Sequence, residues 1–456
     1  MAAAYEATRH GASALVIEKW DRVGGLARTL VRDGTRYDIG PHRFFTANVE
    51  VRQLFIDVLG EDLVKVTRLT RILYGGKYFN YPLTPLNALF GLGIGNSIAV
   101  LASYAQARVR HWFGHPRIES FEDWIVDRFG RRLYRVFFKT YTEKVWGVPC
   151  DRIGADWAAQ RIKGLSLSTA IFNALYKPKK IIKTLADEFM YPRLGAGQLY
   201  QKMAQQATQR GAEVLLDATV IAIRRDENAV TGIRLRTGDV EREVTGDYYL
   251  CSAPLTETLE MMDPPPPSDV LAASRSLRYR HHIGVKLNVR GMPFPDNWIY
   301  VHSPEVRAAR ITNYRNFSAA MAADTGMSPL TVEYFCFPDD DLWQMSEAEL
   351  VDLAIDELER LGIAVQGRVV DGFVVRSEKA YPVIEKGYEQ HIDCIRQWLA
   401  TFTNLLPIGR SGMFKYNNQD HAIATGLLAA RTALGLGKFD PWNVNIDGEY
   451  YEAGEA

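Results

Sequence analysis

The chain has 456 residues, 47% hydrophobic and 24% charged, which is too long for one ordinary domain and suits a globular enzyme of two or three. Its 54 basic and 54 acidic side chains cancel, which argues against nucleic acid or another polyanion as a general partner. Four cysteines, Cys150, Cys251, Cys336 and Cys394, stand far apart without a Cys-x-x-Cys pair, so neither a disulfide framework nor a metal site is expected, and a reducing cytoplasm fits.

The first elements read as a helix through residues 3–9 and an apolar run, residues 14–17, with the character of a buried parallel strand. Glu18 closes that strand, and Gly24-Gly25 follow, then Arg28 and Thr29. An acid at a strand end can hydrogen-bond the ribose hydroxyls of an adenosine, and paired glycines let backbone approach a ligand where a Cβ would clash. This pattern resembles the second half of the FAD fingerprint in amine-oxidase-type flavoproteins. The matching Gly-x-Gly-x-x-Gly turn is expected just upstream, so about 15 residues of strand and phosphate-binding turn are expected to be absent from this sequence.

Tyr37-Asp38-Ile39-Gly40-Pro41-His42 presents His42 on a forced turn beside Phe44 and Phe45. Residues 73–82 read as a hairpin around Gly75-Gly76. From residue 85 to about 183 the pattern is helical, with the capping sequence Ser120-Phe121-Glu122-Asp123 opening an aromatic helix. Residues 86–107 form an apolar run containing Asn87, Asn96, Ser97, Ser103 and Gln106; a buried or interfacial helix is expected there rather than a membrane span. Tyr141-Thr142-Glu143-Lys144-Val145-Trp146-Gly147 and Asp156-Trp157-Ala158-Ala159-Gln160-Arg161 mix large aromatics with polar groups off any amphipathic period, as ligand-facing surfaces do.

Gly195 and Gly197 precede a further helix, and the strand after it contains Val220. A hairpin at residues 232–244, a returning strand at 247–254 and a boundary at the 264–267 proline run complete this half. Residues 282–289, 298–302, 310–314 and 330–337 read as an antiparallel sheet, followed by a charged helix at 346–361. Residues 405–434 read as a strand, a Gly409-Arg410 turn and a long small-residue helix, able to bind pyrophosphate or a flavin ring.

Gly40-Pro41-His42-x-Phe-x-Thr46, Tyr141-Thr-Glu-Lys-Val-Trp146-Gly, Gln160-Arg161-Ile162 and Gly409-Arg410 with Lys415-Tyr416 together resemble UDP-galactopyranose mutase, in order and over most of the chain. Protoporphyrinogen oxidase and the amine oxidases share the FAD fingerprint and the Gly195/Gly197 region but are less close in the helical domain. The resemblance implies an α/β fold: a Rossmann-like FAD-binding domain in three parts (1–84, 191–265, 401–438), an inserted helical domain (85–190), an antiparallel-sheet substrate domain (266–400) and a tail (439–456). It implies FAD as cofactor and a small-molecule substrate, a nucleotide- or phosphate-linked sugar whose pyranose and furanose forms are interconverted through reduced flavin. The alternative is an FAD-dependent oxidoreductase of the amine oxidase or protoporphyrinogen oxidase type.

By the same resemblance, Arg161 and Arg310 hold phosphates, Tyr141 and Tyr416 donate to them, Trp146 packs on substrate and His42 lies beside the flavin. Glu18, Gly24, Gly25, Arg28, Val220, Gly409 and Arg410 belong to the cofactor side. Two features depart from the family. Asn417-Asn418 replaces its Tyr-Asp pair, and the region 165–189 is basic, with Lys177, Lys179, Lys180 and Lys183 in place of the mutases' aromatic uridine-binding lid. The resemblance therefore names no base, and another nucleotide or a polyprenyl-phosphate sugar suits the residues equally.

Overall fold

A computed structural model describes residues 1–83, 85–114, 117–155, 188–324 and 326–445, without the side chains of residues 85, 86, 89 and 90. Arg161 and the basic region up to residue 187 lie outside the described residues.

The helix Ala2–Arg9 packs against two others, Gly197–Gln209 and Gln419–Ala433. The strand Leu15–Ile17 pairs in parallel with Glu213–Leu215, and Glu18 N–H continues the ladder to the Leu215 carbonyl at 2.9 Å. The strand is half-exposed rather than buried, with Leu15 39% accessible, because among the described residues it is paired on one edge only. Tyr249–Cys251 pairs in parallel with Leu405–Pro407, the strand that feeds the Gly409-Arg410 turn. The hairpin Val230–Thr237/Val240–Val244 extends a small four-stranded sheet.

The expected antiparallel sheet is present and larger than the sequence suggests. Its seven strands run in the order Val369–Pro382, Tyr279–Arg290, Met327–Cys336, Arg310–Asn313, Trp298–Val301, Thr70–Tyr74 and Lys77–Asn80. The early hairpin thus joins it, through a parallel pairing of Thr70–Tyr74 with Trp298–Val301. Val369–Pro382 escaped sequence reading because it is an edge strand, half-exposed on both faces and interrupted by Asp371, Gly372 and Arg376. Side chains alternate across a strand. Ile283, Val285, Leu287 and Val289 meet Leu330 and Val332, and all pack beneath Leu350, Ala354 and Leu358 of the helix Glu347–Arg360. The other face carries His282, Lys286, Thr331 and Glu333, every one of them buried.

The helical layer covers the far end of this sheet. Ser120 and Asp123 form the expected capping box on the helix Phe121–Phe129. The aromatic periodicity does not continue as one helix, because Gly130 breaks it at φ +83. A Cβ there would lie 2.8 Å from the backbone of Ser103 and Tyr104, so only glycine permits this crossing over the helix Ile94–Gly114. The chain resumes at Arg131–Tyr134, widens into a π-helical turn over Arg135–Lys139 and ends as Thr140–Trp146. Such turns re-aim side chains within a helix, and this one carries the cavity-lining Phe137 and Phe138 and leads directly to Tyr141.

Gly197 supplies a test of how the parts are joined. Its N–H donates to Thr29 Oγ1 at 2.8 Å, and an added Cβ would lie 2.5 Å from the Thr29 backbone nitrogen. Gly197→Ala is expected to lower the unfolding free energy by roughly 1–3 kcal/mol. Urea titration at unchanged m-value checks this, and an unaltered midpoint would show that the contact can relax.

Candidate active site

The cofactor-side residues sit on three neighbouring turns. Glu18 is half-buried at the end of its strand and accepts the Trp20 N–H at 3.1 Å; burial raises its pKa above the usual carboxylate value. Gly24 takes φ +118, with its Cβ position 3.1 Å from the Arg28 Cα, so the turn cannot carry a side chain there. Arg28 is buried, its Nη1 donating to the Gly25 carbonyl at 2.8 Å and its guanidinium 4.4 Å from the Trp20 ring centre. Ala218 N–H bonds the Glu18 carbonyl at 3.0 Å, which sets Val220 alongside this strand end. On the third turn, Gly409 N–H is held by Thr425 Oγ1 at 2.9 Å and Arg410 Nε by the Asn417 carbonyl at 2.7 Å.

Between these turns and the helical layer lies a cavity of about 400 Å³. His42, Tyr141, Trp146, Arg310, Arg410 and Tyr416 all line it, so six residues scattered over the sequence converge. Glu18, Gly24, Gly25, Arg28, Val220 and Gly409 do not line it. Trp146 lies 5.3 Å from Tyr416 and 6.4 Å from Tyr381, and Tyr141 stacks on His302 at 4.8 Å. Burial holds the Tyr141 and Tyr381 hydroxyls well into the protonated range, so both are hydrogen-bond donors at neutral pH.

Arg310 is not a free phosphate-binding cation. It faces Glu333 directly across two strands, and its Nε and Nη2 reach the two carboxylate oxygens at 2.7 and 2.5 Å. His282 Nε2 completes the group, 3.0 Å from Glu333 Oε2. Burial alone would raise the Glu333 pKa, but Arg310 and then His282 hold it far below the carboxylate range. Gly40 lies flat on this group, its Cβ position 3.1 Å from Glu333 Oε2. His42, two residues on, is driven down to about 3 by burial and then by Arg410 and Arg310, so it is neutral, and its buried Nδ1 has no hydrogen-bond partner among the described residues.

Arg410 differs from Arg310. Its guanidinium lies 5.0 Å from the Tyr381 ring centre and 4.7 Å from Tyr416, and it makes no ion pair among the described residues. Asn417, one of the departures from the family pattern, is buried and structural: its amide donates to the Gly409 carbonyl at 3.1 Å and so closes the turn that aims Arg410.

Sequence reading missed Glu333, His282, Tyr381, Tyr300 and His302, which line the same cavity. A signal existed for one of them: Glu333 is a charged position between Val332 and Tyr334 in a largely apolar strand. Among the described residues no group of three His, Cys, Asp or Glu side chains is arranged to hold a metal ion.

The chain matches the family model described as flavin containing amine oxidoreductase over residues 1–434, and it belongs to that family. It is an enzyme, and its cofactor is FAD. Three solved structures of similar fold are informative. A crystal structure of reduced UDP-galactopyranose mutase superposes with a TM-score of 0.81 at 21% identity, covering 97% of this chain and 96% of that one. Cyclohexylamine oxidase from Brevibacterium oxydans IH-35A gives 0.61 at 14%, covering 96% and 97%. A triple mutant of putrescine oxidase gives 0.60 at 16%, covering 96% of each chain. The residues present fit FAD: a carboxylate closes the strand, glycine backbone offers an open turn, and the unpartnered His42 nitrogen is buried in the cavity wall.

Two measurements follow. Glu333→Gln removes the charge that compensates Arg310 and is expected to cost about 3 kcal/mol or more in unfolding free energy; a loss well below 1 kcal/mol would mean that water solvates Arg310 instead. His302 is also held neutral, its pKa lowered from 6.5 to about 3 by burial and then by Lys144. The unfolded chain takes up that proton first, so this residue's contribution to stability falls as pH drops from 6.5 towards 3. Asp38, raised to about 6 by burial, acts in the opposite sense. His302→Gln therefore isolates one contribution: its stability should lose up to about 1.4 kcal/mol less per pH unit than the parent below pH 6. Parallel stability curves for the two proteins would exclude it.

Proposed function

We propose, with membership of that family as the premise, that this enzyme interconverts the pyranose and furanose forms of a phosphate-linked sugar without net redox change. The observation that carries this reading is Arg410, an arginine at the cavity wall laid over Tyr381 and Tyr416 with no carboxylate paired to it among the described residues. Arg310 and Glu333 both line the cavity and are spent on each other, so the charge of Arg410 is the one that faces an incoming group. A protonated amine would meet repulsion there, whereas a sugar phosphate would meet charge, hydroxyl donors and flat rings.

Reduced flavin supplies an electron pair for the sugar's anomeric carbon. The chain's own groups bind the phosphate and orient the ring. Arg410 takes the phosphate charge, and Arg310 adds the one edge that Glu333 leaves to it. Tyr141 and Tyr416 line the same cavity, and their phenol hydroxyls would donate to phosphate oxygens, stabilising the departing group as its charge grows. Trp146 is buried and closes one wall to water. His42, neutral, offers a ring nitrogen to a polar edge of whatever lies beside it without adding charge.

A second reading is hydride removal from an uncharged substrate. It rests on the neutralisation of Arg310 by Glu333 and on the aromatic share of the lining. Counting product per flavin separates the two. Dithionite-reduced enzyme supplied with a candidate phosphate-linked pyranose, without an electron acceptor, is expected to turn over many times. Product formed only from oxidised enzyme, with matching oxygen uptake, would establish the second reading. Within the first, Arg410→Ala is expected to lower kcat/KM by roughly a hundredfold, the loss of one charge-assisted contact. Near-parental kcat/KM would remove Arg410 from the phosphate site.

A further inference from the structure

The helix Ile94–Gly114 is held to the body of the protein along one face only. Val100 and Ala107 are buried, Arg108 and His111 reach Asp127, and Arg132 bonds the Asn96 side-chain carbonyl. The opposite face is apolar and open. Ile94 is 82% exposed, Ile98 63%, Trp112 69% and Phe113 83%, with Leu101 and Val109 between them. With the exposed Ala105 between Leu101 and Val109, these positions recur at three and four and form one stripe along 21 residues, a length of about 31 Å. An open apolar surface of this kind marks an interaction site.

We propose that this face docks on an anionic lipid bilayer, with the helix lying in the plane of the interface. The occupant follows from charge and residue type. Residues 94–114 contain no Asp or Glu, and Arg110, exposed in the last turns of the helix, makes no ion pair among the described residues. Trp112 and Phe113 stand at the same end as Arg110 and His111, the grouping of aromatic and basic side chains that suits a headgroup region. A second copy of the chain would bury Arg110 against a helix that offers no carboxylate to meet it. Spanning is not the geometry: among the described residues no helix is long and apolar enough to cross a membrane. The helix also follows closely on Tyr81, Pro82 and Leu83, which line the cavity, so docking would bring that wall of the site near the lipid surface.

The test is cosedimentation of the 456-residue chain with vesicles of phosphatidylcholine alone and of phosphatidylcholine with phosphatidylglycerol. Binding to the anionic vesicles, weakened by salt, is expected. Arg110→Glu should weaken it by roughly tenfold, and the combined Ile98→Glu, Trp112→Glu and Phe113→Glu by more than that. Quenching of tryptophan fluorescence by brominated acyl chains should drop in Trp112→Phe, a substitution too mild to disturb folding. Absence of binding to anionic vesicles would overturn the proposal, as would undiminished binding by the triple variant. A particle mass that halves in the triple variant would assign the face to a second copy instead.

Discussion

Everything about the site depends on one buried ammonium group. Lys286 is fully buried on the sheet and donates to the carbonyls of Asp38 and Ile39 at 2.7 and 3.0 Å and to Thr331 Oγ1 at 3.0 Å. Burial lowers its pKa to about 7. The opposing charges are Glu333 and then Asp38, whose carboxylate is bonded by Thr29, Tyr191 and the Ala196 N–H at 2.6 to 3.2 Å. An ion in this environment is tolerated only when every lone pair and proton is used. The Asp38 strand, the Thr29 turn and the Gly195-Ala196-Gly197 corner must therefore all be in place at once. Gly195 and Gly197 are small because Cβ positions there fall 2.4 to 2.8 Å from Thr29 and Asp38 atoms. The loop to Gly40 and His42 leaves from this fixed point.

The same strand geometry builds core and cavity together. With a period of two, the strand Tyr279–Arg290 presents its aliphatics to one helix and His282, Gly284 and Lys286 to the opposite face. Glu333 stands opposite both Arg310 and Gly284 in register. A one-residue slip would send the ion pair into the aliphatic core, so the apolar face that stabilises the sheet also fixes the electrostatics of the site.

Much of this was legible in the sequence. The Glu18 strand end, the paired glycines, the hairpin at Gly75-Gly76, four of the antiparallel strands and the capped helix after Ser120 each carry a local signal that long-range contacts reinforce. Convergence of His42, Tyr141, Trp146, Arg310, Arg410 and Tyr416 was legible only through resemblance, since nothing local brings residue 42 to residue 416. What stayed hidden was pairing. Glu333 looks like one polar position in a strand until the register puts Arg310 across from it. Gly130 looks like an interruption in an aromatic helix until the backbone of Ser103 and Tyr104 appears beneath it. Tyr381 was hidden for a different reason, because its strand mixes charges and apolar residues on a half-exposed edge.

The departures from the family pattern gain a physical sense in this arrangement. By resemblance, the turn after Tyr416 would carry a tyrosine and an acid, and an acid there could neutralise Arg410. Here Asn417 and Asn418 occupy those places, and neither carries charge. Asn417 spends its amide on the Gly409 carbonyl and its own backbone carbonyl on Arg410 Nε. The guanidinium is thereby oriented without being neutralised, while Arg310, the other arginine of the pattern, is matched by Glu333. Of these two arginines, the one left uncompensated stands at the tyrosine-lined wall rather than over the sheet. Between Arg310 and Arg410, the field that reaches the cavity is that of Arg410, since Arg310's is cancelled by Glu333.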